Sequence, residues 1–526
     1  MEPLIAAFFS HDSSICIRDT NGKFTIFEFE RLLKERFVKL TGRKDLKNIL
    51  INLKEIIKKD YNIESFNICY HLGLTEEEKI ILNEVWGISD FHETGHHLSH
   101  ASCAYYQAPF NECLVMSYDG GGYDGGFEDE RIGYFNVYYV NDGIFKKINH
   151  IKYDLGTAYG LSAIPISEVQ KTEENWEERF LSFSGKMMGL VGYGSVREEW
   201  LIPFKNFYKE HKHVSLIDLN KSLAPSINLP LNINSLSGQD SYDFAATSQR
   251  AFEEVIYKEI IHLINCYKLP ICLTGGCALN VILNQKLSDL LGNDKVFIPP
   301  NPSDCGLTFG MLAYKTSPQN AINLMYDGFP ILDIDELSKY VKKYNAKKIK
   351  LPELAKLLYD GKIIGLMRGK SEVGPRALGN RSILCDPSYS DMKDTLNHKI
   401  KFREWFRPFA PISKLENANK YFEFNGDASF MSFSPKVRKE YLGKIPAVVH
   451  KDNTARLQTI SEKQNKYIYD LLTEFENLRG IGCLLNTSFN IKGKPILTTI
   501  KDAIEVLETT QIDAVIIEDY LFERIK

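Results

Sequence analysis

Cys113-Leu114-Val115-Met116-Ser117-Tyr118-Asp119-Gly120-Gly121-Gly122 runs an apolar strand into an acidic, glycine-rich turn, and Tyr134 to Tyr139 reads as the returning strand. A related order stands at the start of the chain. Leu4 to Phe9 is apolar, Ser10-His11-Asp12-Ser13-Ser14 turns, Ile15-Cys16-Ile17 returns, and Phe24-Thr25-Ile26-Phe27 follows Asp19-Thr20-Asn21-Gly22. Two strand–polar turn–strand units predict a duplicated nucleotide-binding architecture, since each turn brings backbone N–H groups toward a phosphate. A third glycine site, Thr274-Gly275-Gly276-Cys277-Ala278-Leu279-Asn280, follows a strand at Leu269 to Leu273 and precedes the helical spacing of Val281, Leu283 and Leu287. A strand, a Gly-Gly turn and a helix N-terminus favour an anion, although such a turn serves packing about as often.

At 526 residues the chain exceeds one ordinary core, so two or three domains are expected. Hydrophobic content of 44%, charged content of 25% and a net charge of -4 suit a globular enzyme and give no overall footprint for nucleic acid. None of the ten cysteines has CxxC spacing, which favours buried thiols in a reducing compartment over disulfides or a zinc site. The apolar start is short and no window is long and uncharged enough for a membrane span, so a cytoplasmic location is expected. Between residues 316 and 345 the pattern loosens around Pro318, Pro330 and a lysine-rich stretch. A boundary there gives domains 1–340 and 341–526.

His96-His97-Leu98-Ser99-His100-Ala101 carries the sharpest chemical signal. His96 and His100 share one face of a helix and can grip one metal ion, whereas an isolated HxxxH is more often a surface feature. Asp119, and Asp304 at the head of Asp304-Cys305-Gly306-Leu307-Thr308-Phe309-Gly310, would complete a mixed N/O set for iron, manganese or zinc. In the second domain Arg368-Gly369-Lys370, Gly374 to Ser382, Lys399 to Arg403 and Arg407 to Pro411 interleave cations with glycine, proline and apolar residues. That interruption favours a phosphate site over a solvated face, because guanidinium groups pair phosphate oxygens in forks. Asn486-Thr487-Ser488-Phe489-Asn490 ends the strand Gly482 to Leu485, where short polar side chains hold ligands or make turns.

Taken in order, these blocks resemble the O-carbamoyltransferase family that includes nodulation-factor and antibiotic-tailoring enzymes. Gly185-Lys186-Met187-Met188-Gly189-Leu190, Phe406 to Pro411 and Thr454-Ala455-Arg456-Leu457-Gln458-Thr459 add to the resemblance, which spans nearly the whole chain. It implies an α/β protein with a duplicated actin-like ATPase domain, similar to the threonylcarbamoyltransferase of tRNA modification, and a C-terminal YrdC-like domain. By the same resemblance His96, His100, Asp119 and Asp304 hold a metal, usually iron. Gly120, Gly121, Lys186, Gly275, Gly276 and Asn280 bind nucleotide in the first domain. In the second, Lys370, Arg376, Arg381, Lys401, Arg403, Arg456, Asn486, Ser488 and Asn490 bind ATP (with Mg) and carbamoyl phosphate. The chain departs from the family pattern at Arg368-Gly369-Lys370, where Gln-Gly-Arg is common, at Val191-Gly192, and at Lys494, often Glu. The first departure costs a bidentate fork.

The expected chemistry is formation of carbamoyl-adenylate in the second domain and transfer to a hydroxyl acceptor in the first, with His11 as base and Asp12 orienting it. Segments between Tyr123 and Ile166 and between Tyr193 and Ser237 are expected to shape the acceptor pocket. A small acceptor is favoured. Nucleic acid is the less favoured partner, as a hydroxymethylated base in DNA served by Lys205, Lys209 and Lys212, or as tRNA undergoing threonylcarbamoylation. A non-catalytic actin-like module or a sugar kinase would not need the second basic site.

Overall fold

The computed structural model describes residues 1–123, 132–170, 176–210, 215–491 and 493–524. Lys212 lies outside them. The chain builds a mixed α/β fold on three sheets. The first comprises β1 (Leu4–Phe8), β2 (Ser14–Arg18), β3 (Phe24–Glu28), β4 (Ile68–Leu72) and β5 (Asp90–Glu93) in the order β3-β2-β1-β4-β5. The second comprises β6 (Glu112–Tyr123), β7 (Ile132–Asn141), β8 (Ile144–Ile151), β9 (Ile271–Thr274) and β10 (Val296–Phe297) in the order β10-β9-β6-β7-β8. Read from β8, it repeats the first sheet: two antiparallel pairings, then two parallel ones.

All five residues of β1 are buried, which explains its unbroken apolar run. Two helices fill the space between the sheets: α1 (His96–Tyr105), buried at all ten positions, and, far along the chain, Leu307–Thr316. Gly310 lets them touch, since a Cβ there would lie 1.8 Å from the Ser99 carbonyl oxygen. This contact carries Asp304, at the turn before the second helix, up to the histidine face of α1.

The glycine-rich stretch after Tyr118 corrects the sequence reading. Asp119 to Gly122 remain within β6, with a register shift between Tyr118 and Gly122. The bulge frees peptide N–H groups from the ladder, and Asp119 Oδ1 takes that of Gly120 at 2.8 Å. After β9 the chain makes a 3-10 turn, Gly276–Leu279, before the helix Val281–Leu291 begins.

The third sheet adds β11 (Lys347–Lys348), β12 (Ile364–Met367), β13 (Arg381–Cys385), β14 (Ala410–Lys414), β15 (Gln458–Ile460), β16 (Cys483–Ser488), β17 (Ala514–Ile517) and β18 (Tyr520–Glu523), ordered β11-β18-β17-β12-β13-β16-β14-β15. On β12 alternate side chains serve different layers. Ile364 and Leu366 pack under the helices Leu351–Tyr359 and Lys466–Arg479, and Met367 belongs to the core beneath Ile500–Thr509. No helix among the described residues is long and apolar enough to cross a membrane.

Candidate active site

A cavity of about 510 Å³ lies where the third sheet meets the first two, and its walls come from both halves of the chain. His11, Asp12, Asp119 and Asp304 line its acidic part; Arg376, Lys401, Arg403, Arg407 and Arg456 line its basic part. Glu30 and Arg36 also face the cavity.

Behind the acidic wall the four expected metal ligands come together. One ligand atom from each of His96, His100, Asp119 and Asp304 lies within 4.8 Å of the others. His100 Nε2 is 3.2 Å from both Asp119 Oδ2 and Asp304 Oδ1; His96 Nε2 is 3.3 Å and 3.7 Å from the same oxygens. Helical spacing aligns the imidazoles, and the Gly120 and Gly276 N–H groups on Asp119 Oδ1 turn Oδ2 toward them. Burial opposes charge on both partners, yet their mutual attraction wins. Asp119 is held well below the usual carboxylate range by His100 and His96, and His100 is held up to about 9 by the two carboxylates. Two imidazoles and two carboxylates, buried and convergent, fit a first-row divalent metal.

His11 stands beside this set, its Nε2 3.5 Å from Asp304 Oδ2 and its Nδ1 3.5 Å from Asp12 Oδ2. Burial works against its proton, but Asp304, Asp12 and Asp119 outweigh burial and raise it to about 10. Of the expected nucleotide residues, Gly120, Gly276, Asn280 and Lys186 line the cavity, whereas Gly121 and Gly275 are not among its lining residues. Gly275 is needed for packing: it has φ +87°, and a Cβ would meet the Tyr118 carbonyl oxygen at 2.1 Å. Asn280 N-caps the helix Val281–Leu291 and exchanges amide hydrogen bonds with Gln249. Lys186 Nζ lies 3.6 Å from Glu404 Oε1, an ion pair across the two halves of the chain.

In the basic part Lys401 Nζ donates to the Ser488 carbonyl at 2.6 Å, Ser488 Oγ at 3.2 Å and the Asn490 carbonyl at 3.0 Å, and it also meets Asn490 Oδ1. Burial, with Arg403, Arg407 and Arg36 nearby, lowers Lys401 well below a normal lysine. Arg456 is lowered likewise by burial and by Arg376, Arg403 and Arg407. So many like charges out of water call for an anion.

Three expected phosphate ligands are not among the cavity-lining residues. Lys370 Nζ hydrogen-bonds the Tyr61 hydroxyl at 2.8 Å. Arg381 points beneath its own loop, donating to the carbonyls of Arg368, Asn380 and Gly369. Asn486 ties Ala377 to Gln458 inside β16. Among the described residues from Gly194 to Ser237, none lines the cavity, where the sequence reading expected that stretch to shape the acceptor pocket. Lys205 and Lys209 pair with Glu254 and Glu259.

Lys393, Glu404, Arg407 and His450 also line the cavity and were not assigned from sequence. Arg407 lay within a quoted block; a lone histidine such as His450 gives no signal. Glu28 and Arg31 were missed as well. Arg31, its side chain fully buried, pairs with Glu28 at 2.8 Å and donates to the carbonyls of Glu372 and Gly374, while Glu28 Oε1 accepts the Gly374 N–H at 3.0 Å.

Family models match both halves of the chain: Carbamoyltransferase N-terminus over residues 25–312 and Carbamoyltransferase C-terminus over residues 355–524. The chain belongs to the carbamoyltransferase family, and it is an enzyme of that class. Nodulation protein NolO of Bradyrhizobium diazoefficiens is 30% identical over 82% of this carbamoyltransferase and 78% of its own length. Nodulation protein U of Sinorhizobium fredii is 30% identical, covering 76% and 72%. An uncharacterized protein of Methanocaldococcus jannaschii is 32% identical, covering 90% and 79%. Among solved structures, full-length HypF in its phosphate- and nucleotide-bound form is 14% identical with a TM-score of 0.35, covering 60% of this chain and 55% of that one. The chain thus spans little more than half of that structure.

Proposed function

We propose that this carbamoyltransferase uses carbamoyl phosphate and ATP to carbamoylate a hydroxyl acceptor through a carbamoyl-adenylate, on a duplicated actin-like ATPase domain and a YrdC-like domain. The observation that carries the reading is the single cavity joining a cation-rich wall to a His/Asp cluster. Arg376, Lys401, Arg403 and Arg456 bind the phosphates, with Ser488 and Asn490 fixing the Lys401 ammonium. There ATP, carbamoyl phosphate and water yield carbamoyl-adenylate, pyrophosphate and phosphate. The acceptor oxygen then attacks the carbamoyl carbon, the bond to the AMP oxygen breaks, AMP leaves, and His11 takes the hydroxyl proton. His96, His100, Asp119 and Asp304 would hold a divalent metal, iron by family resemblance, which supplies Lewis-acid polarisation and offsets the carboxylate field on His11.

A small acceptor suits a cavity of about 510 Å³ better than a duplex does, and the engagement of Lys205 and Lys209 by glutamates points the same way. The test separates the partial reactions. Arg376→Ala should abolish AMP formation that depends on carbamoyl phosphate; His11→Ala should retain adenylate formation and lose transfer. If His11→Ala stops adenylate formation as completely as Arg376→Ala, the division is wrong.

A further inference from the structure

All but one of the carboxylates at the acidic end of the cavity have partners. Asp119 and Asp304 face His96 and His100, and Asp12 faces His11 at 3.5 Å. Glu28 pairs with Arg31 and takes the Gly374 N–H. Glu30 differs. It lines the cavity from the short helix Phe29–Leu33, is half-buried, and neither of its oxygens is sealed from solvent. Among the described residues its carboxylate makes no hydrogen bond and no ion pair.

The cations on its own segment are occupied elsewhere. Arg31 holds Glu28 and the Glu372 and Gly374 carbonyls, and Lys34 pairs with Asp502. Arg36 lies over the Phe37 ring, 4.6 Å from its centroid, and its charge bears on Lys401 in the basic wall. A carboxylate drawn partly out of water with no counter-charge is costly. Burial foremost, then Glu28 and Asp12, raises Glu30 to about 7 against the opposing pull of Arg31 and Arg36. A cation arriving in the cavity would remove that cost.

We propose that Glu30 binds a protonated amine of the acceptor, so that the acceptor class is an amino alcohol carbamoylated on its hydroxyl. The inference rests on the reading of the His11 end of the cavity as the acceptor site. Asp12 links the two positions, since it faces His11 and its charge also bears on Glu30. The pairing has a chemical consequence. A free amine is a better nucleophile than an alcohol, but an ammonium held by Glu30 has no lone pair to offer. The oxygen therefore attacks the carbamoyl carbon and the nitrogen keeps its proton. A neutral polyol would leave the carboxylate unpaired, and an anionic acceptor would be repelled by Asp12 and Glu30.

The experiment uses the full chain, ATP and labelled carbamoyl phosphate, with two acceptors at neutral pH. Glycerol is the neutral probe; serinol, which has an amine in place of the central hydroxyl, is the cationic one. In the parent protein kcat/KM for transfer should favour serinol by about tenfold or more, and the product should be the carbamate ester and not the urea. Glu30→Gln, which keeps the shape and removes the charge, should bring the ratio of serinol to glycerol close to one. Glu30→Asp should keep part of the preference. Both acceptors are read on the same sample, so any loss of folded protein cancels from the ratio. Serinol no better than glycerol in the parent, carbamoylation on nitrogen, or a preference that survives Glu30→Gln overturns the proposal while the functional reading stands. A parent protein that makes no AMP from ATP and carbamoyl phosphate overturns the functional reading, and the Glu30 assignment with it.

Discussion

Arg31, on the short helix after β3, donates to the carbonyl of Gly374, two residues before Arg376 in the basic wall of the cavity. Its partner Glu28 takes the N–H of the same glycine, and Phe29 N donates to the Ser13 carbonyl, two residues beyond His11. One buried ion pair therefore fixes the loop carrying Arg376 to the turn carrying His11.

Removing one partner of a buried pair leaves the other charge unpaired. Arg31→Met should cost about 3–5 kcal/mol, read as a fall in the urea midpoint, and should weaken phosphate binding in the protein that remains folded. Glu28→Gln with Arg31→Met should cost less than Arg31→Met alone. A double variant no better than the single one would show that the loop contacts, not the charge, dominate.

Gly275 and Gly276 are adjacent but should fail differently. Alanine at 275 puts a Cβ against the Tyr118 backbone at a positive φ, so Gly275→Ala should lose on the order of 2–3 kcal/mol, seen as a lower melting temperature. A Cβ at 276 would lie 2.8 Å from Asp119 Oδ1, so Gly276→Ala should displace that carboxylate and lower metal occupancy with a smaller loss of stability. Equal metal content in the two variants would contradict this.

These cases show what the sequence could and could not reveal. Leu4 to Phe9 and Cys113 to Tyr118 announced strands by apolar runs, and His96 and His100 announced a shared face by spacing alone. The bulge at Asp119 was not legible, because Gly-Gly-Gly reads as a turn unless the partner strand is known. Nor could a basic block say which way each cation points. Arg376 and Arg381 sit five apart in one motif, yet one faces the cavity and the other satisfies carbonyls beneath its own loop. The Arg31–Gly374 contact joins residues 343 apart, beyond the reach of any local pattern.

The metal set should depend on its ligands and not on His11. His100→Ala should lose more affinity than the roughly 10–100-fold that an outer partner costs, measured as bound metal after dialysis. His11→Asn should retain its metal. Equal stoichiometric metal in His100→Ala and the parent protein would remove the assignment.

The last prediction concerns Lys401. Burial and three arginines push its ammonium below the ordinary lysine value of about 10.4, so between its folded pKa and that value the unfolded chain binds more protons than the folded one. Stability should therefore rise with pH across that window in the ligand-free protein. A bound phosphate dianion supplies the missing negative charge and restores the ammonium, so binding should take up protons. The measurement is calorimetry of carbamoyl phosphate binding in buffers of different ionisation enthalpy at about pH 8.5, where a phosphate monoester with a second pKa of about 6 is already a dianion. Uptake of up to about one proton is expected for the parent protein. Lys401→Met should remove the share of that uptake that belongs to Lys401. Release of protons by the parent, or the same uptake in Lys401→Met, would show that Lys401 does not respond to the phosphate.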